Sequence, residues 1–379
     1  MRVSGPWLDH PGTQALCAAL GAEGHRILFV GGCVRNALLQ VPVADLDLST
    51  DAAPETVSDI AERAGFKVVP TGIDHGTVTV IAQGVVHEIT TFRRDVETDG
   101  RRAVVAYSSE LTDDAARRDF TMNALYAEPS GEVVDPLGGL PDLLARRVRF
   151  VGDPVQRIRE DYLRILRFFR FHAAYGDPAQ GIDPEGLAAC AALADGIAGL
   201  SRERIGHEMR KLLGARDPAP ALAAMAASGV LAHVLSGADP RAIAPLVHLE
   251  GDLPPRWQRR LVALGGTGLE SLRLSRQEQT EIGKIRDEIG SALTPAALGW
   301  KLGVIPGADV VLCRAALLEQ PLPGNWQADL ARGRDSRFPV TSADLMADYR
   351  GAELGARLKA LEARWLASDL TLSKSELLA

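Results

Sequence analysis

The chain has 379 residues, of which 46% are hydrophobic and 24% charged, with a formal net charge of −7. That is material for two to four compact units with ordinary cores, and it contains no run of ~18 apolar residues that could span a bilayer. The opening MRVSGPWLDHPG lacks the basic-then-apolar pattern of a secretory leader. Cys17, Cys33, Cys190 and Cys313 are scattered without a CxxC pair. This argues against a structural zinc or a disulfide framework and points to a reducing cytoplasm.

The negative net charge disfavours a nucleic-acid partner only on average. Arginines gather locally, at Arg93, Arg94, Arg101, Arg102, Arg117 and Arg118, then at Arg146, Arg147, Arg149, Arg157, Arg159, Arg164, Arg167 and Arg170. Such clusters supply the positive potential that phosphates require.

In chain order, residues 14–22 read as a short helix and 26–31 (RILFVG) as a buried strand entering a glycine turn. A helix follows over 34–39, and 46–48 belong to a second strand. Residues 54–64 read as a helix with Asp51 or Ala53 near its cap. TVTVIA (77–82) and VVHEITTF (85–92) alternate and are rich in β-branched residues, with Gln83-Gly84 between them, a hairpin signal. Residues 93–116 are polar and weakly patterned and read as a surface loop. The first ~140 residues are therefore α+β, a sheet with helices on one side. After Pro141 strand patterns vanish. Asp153-Pro154 is a good N-cap and N1 pair for a helix running to about Phe171, and the remainder is all-helical.

Asp45 and Asp47 stand two apart in VADLDLST, so on a strand both carboxylates face one way. Such a pair repels itself unless a cation neutralises it, and Mg²⁺, which takes oxygen ligands, is the natural one. Upstream, Gly31-Gly32 closes a strand and opens a helix, a turn that lets backbone N–H groups approach a triphosphate. Arg35, one turn on, reaches the same phosphates. A two-metal site wants a third carboxylate. Glu88, a charge inside a β-branched strand, is the candidate, the alternative being an outward-facing strand glutamate.

These residues carry a resemblance. GGCVRNALLQVPVADLDLST resembles the signature of class II tRNA nucleotidyltransferases and bacterial poly(A) polymerases, members of the DNA polymerase β superfamily. ARRDFTMNALY (116–126), DPLGGLPDLLARRVRFVGDP (135–154), REDYLRILRFFRF (159–171), LSRERIGHEMRKLL (200–213) and FPVTSADLM (338–346) look like later blocks of the same family, in the same order. The resemblance implies a polymerase β-like nucleotidyltransferase head (1–140), a mixed sheet with helices, followed by an all-helical neck (141–215), body (216–300) and tail (301–379). It implies two Mg²⁺ ions at Asp45 and Asp47, with Glu88 matching less securely, and a tRNA acceptor end extended with CTP and ATP. No membrane and no obligatory protein partner is implied.

Two positions depart from the family pattern: Asn36 stands where many members have Asp, and Gln40 where many have Gly. The substitution at 36 is expected to remove a salt link beside Arg35. Residues 93–116 match a flexible element that lets one pocket switch from C to A.

Asp161 and Arg164, three apart, share one helix face, as would an ordinary intrahelical ion pair. Around them lie Ile158, Leu163, Ile165, Leu166, Phe168 and Phe169, which makes a buried helix. Cytosine and adenine both present an amino donor beside a ring-nitrogen acceptor, and uracil and guanine invert that polarity. An aspartate accepting from the amino group and an arginine donating to the ring nitrogen would take C and A and reject U and G. The resemblance assigns the matching positions this role. It places Arg118 and Asp119 at the base and ribose, Asn123 at the sugar, and Arg167 at RNA or phosphate. Complete CCA addition leads. A poly(A) polymerase would favour an extended basic C-terminus, an enzyme adding only the final A ranks third, and an inactive tRNA-binding protein is the alternative from another class.

Overall fold

The computed structural model describes residues 1–69, 72–73, 76–99 and 102–379. They form two compact units, one of residues 1–200 with 228–230, the other of 201–227 with 231–379.

The first unit is built on a seven-stranded sheet of order β3-β4-β5-β2-β1-β8-β9. Helix α1 (Pro11–Ala22) begins earlier than the sequence signals, because the His10 side chain accepts from Gly12 N and Pro11 sets the first turn. Strand β1 (Ile27–Val30) is buried along its whole length and leads into α2 (Gly32–Leu38). Strand β2 (Leu46–Thr50) is followed by α3 (Pro54–Arg63). Ala53 occupies the α3 cap without a side-chain bond. Asp51 is used elsewhere, accepting from His25 Nδ1 at 3.1 Å and Arg26 N at 3.0 Å.

Strand β3 (Lys67–Val69) joins the hairpin of β4 (Thr77–Ala82) and β5 (Val85–Thr91). Gln83 and Gly84 both have positive φ, 49° and 85°, as a two-residue type I′ turn demands. Strands β8 (Tyr126–Ala127) and β9 (Val133–Val134) complete the sheet beside β1. The β2–β5 pairing is parallel and the other pairings are antiparallel, so the sheet is mixed.

Side-chain alternation sorts the two faces. Leu48, Ile89, Val78 and Val80 are buried on one face with His87, where α1 and α3 pack and Thr13 Oγ1 lies 2.9 Å from His87 Nε2. Asp47, Glu88 and Thr79 align on the other face.

Residues 93–116 depart from the expected loop. Strands β6 (Arg93–Asp99) and β7 (Arg102–Tyr107) pair antiparallel with a bulge at Asp95/Glu97, and α4 (Leu111–Ala116) follows. The first of these strands, RRDVETD, is almost wholly charged and polar, so it shows no hydrophobic alternation to read. Arg101 of the first arginine cluster lies outside the described residues.

Past a short 3₁₀ turn (Thr121–Asn123) and α5 (Leu140–Leu144), α6 (Pro154–Glu160) starts as expected, with Asp153 accepting from Val155 N at 2.8 Å. It stops eleven residues short of the expected end. Asp161 is extended (φ −156°, ψ 105°) and α7 (Leu163–Tyr175) begins afresh. Helix α8 (Pro184–Ala192) ends the unit's regular structure apart from a 3₁₀ segment.

The second unit is helical, from α9 (Arg202–Leu213) to α19 (Lys374–Leu378), with no named strand among its described residues. Arg259 and Arg260 are buried against Glu250 and Asp309, a paired set that satisfies otherwise costly charges. A second cluster packs Val340, Leu345, Leu361 and Trp365. No helix among the described residues is long and apolar enough to cross a membrane. All four cysteines are free and buried. Burial pushes the Cys33 thiol up to about 11, so it stays protonated and unreactive.

Candidate active site

β1 delivers the chain into Gly31, whose φ of 67° and ψ of −112° suit only glycine. Its N–H donates to Leu125 O at 3.0 Å, fixing the turn against the neighbouring segment. Gly32 opens α2, which at seven residues is too short for much dipole.

Asp45 immediately precedes β2 and is exposed, while Asp47, inside it, is half-buried. In the parallel ladder Asp47 stands opposite Glu88 of β5. The sequence separates these two residues widely, and the sheet brings them together. Glu88 is exposed and lines one cavity with Asp45 and Asp47, so it faces outward and also borders the aspartate pair.

Burial raises the Asp47 carboxyl above its ordinary value. The charges of Glu88 and Asp45 push the same way, and Arg118 opposes them. A carboxylate destabilised by two like neighbours favours a cation. Among the described residues no group of three or more His, Cys, Asp or Glu side chains is gathered tightly enough to hold a metal unaided. The all-oxygen donor set of Asp45 and Asp47 nevertheless fits Mg²⁺, which is commonly held by one or two carboxylates together with substrate phosphates.

Arg35 lies deeper than its sequence reading implied. It is buried, donating from Nη1 to Asn123 Oδ1 at 2.5 Å and from Nη2 to Tyr175 Oη at 2.7 Å, with its guanidinium 4.0 Å from the Tyr175 ring centre. Nε and Nη2 also donate to Asn36 Oδ1, at 3.1 and 2.9 Å. The expected loss of a link at position 36 is thus made good by a neutral forked acceptor. Asn36 adds what an aspartate has no proton for, a donation from Nδ2 to Pro42 O at 2.8 Å. It ties the loop before Asp45 to α2.

Asp119 accepts from Asn123 Nδ2 at 2.8 Å and from Arg167 at 2.5 and 2.7 Å. A hydrogen-bonded chain therefore runs from Arg167 on α7 through Asp119, Asn123 and Arg35 to Asn36 and Pro42. Tyr175 joins it, and sequence reasoning missed that residue, which carries no local signal.

Asp161 and Arg164 do not share one continuous helix. Asp161 sits at the break, with Oδ1 accepting from Leu163 N at 3.1 Å, and Arg164 N donates to the Asp161 carbonyl at 3.0 Å. The Arg164 guanidinium pairs with Glu160 at 2.6 Å and donates to the carbonyls of Arg157 and Arg117 at 2.7 and 3.2 Å. Arg157 donates to Ala116 O at 3.0 Å. The two arginines thereby cap the C-terminal end of α4, a tertiary demand that breaks an otherwise unbroken helical pattern. The surrounding Ile158, Leu163, Ile165, Leu166, Phe168 and Phe169 are all buried, as expected.

Asp114 was also missed. Nearly fully buried, it accepts from Arg118 at 2.8 Å and Tyr126 Oη at 2.7 Å, and so aims Arg118, which donates to Ser49 Oγ at 3.2 Å, toward the face that carries Asp47. The available signal was its i,i+4 spacing to Arg118. Burial alone would raise the carboxyls of Asp114, Asp119 and Asp142. Each is instead held below its ordinary value, by Arg118 and Tyr126, by Arg167 and Asn123, and by Thr121, Arg147 and Arg149 respectively.

Because these folded-state values lie below the unfolded one of about 3.9, the stability they confer is present above pH ~4. It is lost as pH falls through the lowered values. Thermal melts from pH 6 downward should show an acid collapse that Asp114→Asn makes shallower. At neutral pH that variant should be destabilised by about 2–3 kcal/mol, below the full cost of breaking a buried pair because Arg118 keeps 24% exposure. An unchanged acid slope in Asp114→Asn would remove Asp114 from this account.

A glycine turn, an aspartate pair on the next strand and a glutamate on its parallel neighbour together define a nucleotidyltransferase head. The comparisons with known proteins agree. The family model described as Poly A polymerase head domain matches residues 27–149, and that described as Probable RNA and SrmB- binding site of polymerase A matches 181–241. The CCA-adding enzyme of Geobacillus stearothermophilus is 32% identical over 371 residues, covering 92% of this chain and 90% of the relative. The mitochondrial CCA tRNA nucleotidyltransferase 1 of Homo sapiens is 41% identical over 203 residues. That match covers 53% of this chain and 47% of the relative, so it spans about half of that protein's length. The crystal structure of Bacillus stearothermophilus CCA-adding enzyme in complex with CTP superposes with a TM-score of 0.70 at 28% identity, covering 94% of this chain and 93% of that one. The chain belongs to the class II CCA-adding enzyme and poly(A) polymerase family.

Proposed function

We propose that this protein adds C, C and A to the 3′ end of tRNA without a nucleic-acid template, using CTP and ATP and releasing pyrophosphate. The observation that carries the reading is the Asp45/Asp47 pair beside Glu88, in a chain that follows a CCA-adding relative over nine-tenths of both lengths.

In the reaction the RNA 3′ oxygen attacks the α-phosphorus, its proton departs to solvent, and the bond from the α-phosphorus to the bridging oxygen breaks. Two Mg²⁺ held by Asp45 and Asp47, with Glu88 on the adjacent strand, would supply the charge that activates the hydroxyl and stabilises the leaving pyrophosphate. The open backbone at Gly31-Gly32 admits the triphosphate. Arg35 orients that turn from within, through the bonds to Asn36 and Asn123, and lends its charge. Asp161 and Arg164 read the base edge, and Arg118, Asp119 and Asn123 align base and ribose. Arg167, anchored on Asp119, faces RNA or phosphate. Head, neck, body and tail (1–140, 141–215, 216–300, 301–379) divide the labour, the last two engaging tRNA. The four buried thiols support a cytoplasmic location.

Purified protein given tRNA ending at the discriminator base, labelled CTP and ATP, and Mg²⁺ should add three residues, and none with EDTA. Incorporation of A alone would mark an A-adding enzyme and long A tails a poly(A) polymerase. No incorporation would leave an RNA-binding protein.

A further inference from the structure

Base reading by Asp161 needs a fixed direction in a residue that belongs to no helix. Asp161 is extended between α6 and α7, so its two neighbours set where its carboxylate points. On one side Glu160 pairs with Arg157 and, at 2.6 Å, with Arg164. Both arginines reach carbonyls at the end of α4. On the other side the half-buried Tyr162 opens α7. Its ring rests on Gly196, in the 3₁₀ segment Ala194–Gly199. A Cβ added at Gly196 would fall on the near edge of that ring, at Cγ, Cδ1 and Cε1. Gly196 has no left-handed φ, so its backbone would accept a side chain; the tyrosine ring excludes one. The ledge is firm, since Gly196 N donates to Leu193 O at 3.1 Å and the nearby Ala194 and Ile197 are buried.

We propose that Tyr162, seated on Gly196, is a positioning residue that fixes Asp161 for base selection. This rests on the base-reading role of Asp161 and Arg164 and deepens it. The path from ring to readers is short. Tyr162 O accepts from Ile165 N at 3.1 Å, and Asp161 O accepts from Arg164 N at 3.0 Å, so a shift at Tyr162 is felt at both. Reading an amino group depends on hydrogen-bond direction, which weakens steeply off line. A carboxylate displaced by about 1 Å keeps its charge and loses its aim. Discrimination between an amino donor and a carbonyl therefore suffers more than reaction with the correct nucleotide. The hold comes from the fit of the ring against bare backbone, so a phenylalanine supplies it as well as a tyrosine.

The test gives full-length variants, checked by thermal melts, CTP or UTP in separate reactions with tRNA ending at the discriminator base. Gly196→Ala, whose methyl group displaces the ring, should lower the preference for CTP over UTP about tenfold or more, with a smaller loss in CTP rate. Tyr162→Ala should relax selection likewise, and Tyr162→Phe should keep the wild-type ratio. The double variant Gly196→Ala/Tyr162→Ala should match Tyr162→Ala, because the added methyl then enters space the ring has left. Should Gly196→Ala not fold, Tyr162→Ala, which only removes atoms from a half-buried site, decides. A wild-type ratio in folded Tyr162→Ala would overturn the proposal. So would a Tyr162→Phe as relaxed as the alanine, or a double variant whose defects multiply. Asp161→Asn, run in parallel, separates the two readings. If it relaxes selection and the Tyr162 and Gly196 variants do not, only the present proposal falls. If it leaves the ratio unchanged, base reading by Asp161 falls first.

Discussion

Alanine at Asp45 or Asp47 is expected to lower incorporation of both C and A by at least about 10³-fold while leaving tRNA affinity within a few-fold. The two effects separate because they arise in different places. RNA affinity comes chiefly from phosphate contacts spread over the molecule. In the proposed mechanism the aspartates act where the phosphoryl group is transferred, and losing several kcal/mol of stabilisation there translates into thousands-fold in rate. Neither change should harm folding, since Asp45 is exposed and Asp47 carries a raised proton affinity that alanine relieves. Glu88→Gln keeps the shape and removes the charge opposite Asp47. It should slow turnover by orders of magnitude if Glu88 shares the cations, and activity within a few-fold of wild type would return it to a solvent-facing strand residue. Near-normal turnover of Asp47→Ala with Mg²⁺ would sink the site assignment altogether.

The second large effect is expected at Asp161, and it concerns choice more than speed. In the proposed base-reading role, Asp161→Ala removes the acceptor for the amino group of C or A and the repulsion of the uracil O4. The preference for CTP over UTP should then fall by about 10²-fold or more, within the range that a misfitted polar site commands. The structure adds a complication and its remedy. Asp161 also accepts from Leu163 N at the start of α7, so alanine costs about 1 kcal/mol of capping as well. Asp161→Asn keeps that acceptor while losing the charge and gaining a donor able to meet O4. Both variants should relax selection, and only the alanine should lower the melting temperature. An unchanged CTP-to-UTP ratio in folded Asp161→Asn would place base selection elsewhere.

What the sequence disclosed was local. Alternation and Gln83-Gly84 specify the β4–β5 hairpin, because turn type and side-chain period are written in neighbouring residues. The Asp45/Asp47 pair and the glycine turn are equally local. The omissions are tertiary. Arg164 is drawn to Glu160 and to carbonyls at the end of α4, a partner set no helix pattern announces. Asp114 looks like a surface acid until Tyr126 and Arg118 close over it. Arg35 reads as a free cation, yet Tyr175, far along the chain, receives it. Asn36, a simple departure on the page, proves to be a tether through a bond to Pro42 that its residue type alone permits.

The single parallel pairing, β2 with β5, has a kinetic meaning. Antiparallel neighbours can zip from a tight turn, but these two strands meet only after α3, β3 and β4 have been laid down between them. Closing that long loop carries an entropic cost before any contact rewards it. Asp47 and Glu88 therefore face each other only once that loop has closed. A nascent or half-folded chain already carries Asp45 beside Asp47, but Glu88 joins them only when the β2–β5 seam forms, so the third carboxylate arrives with tertiary structure.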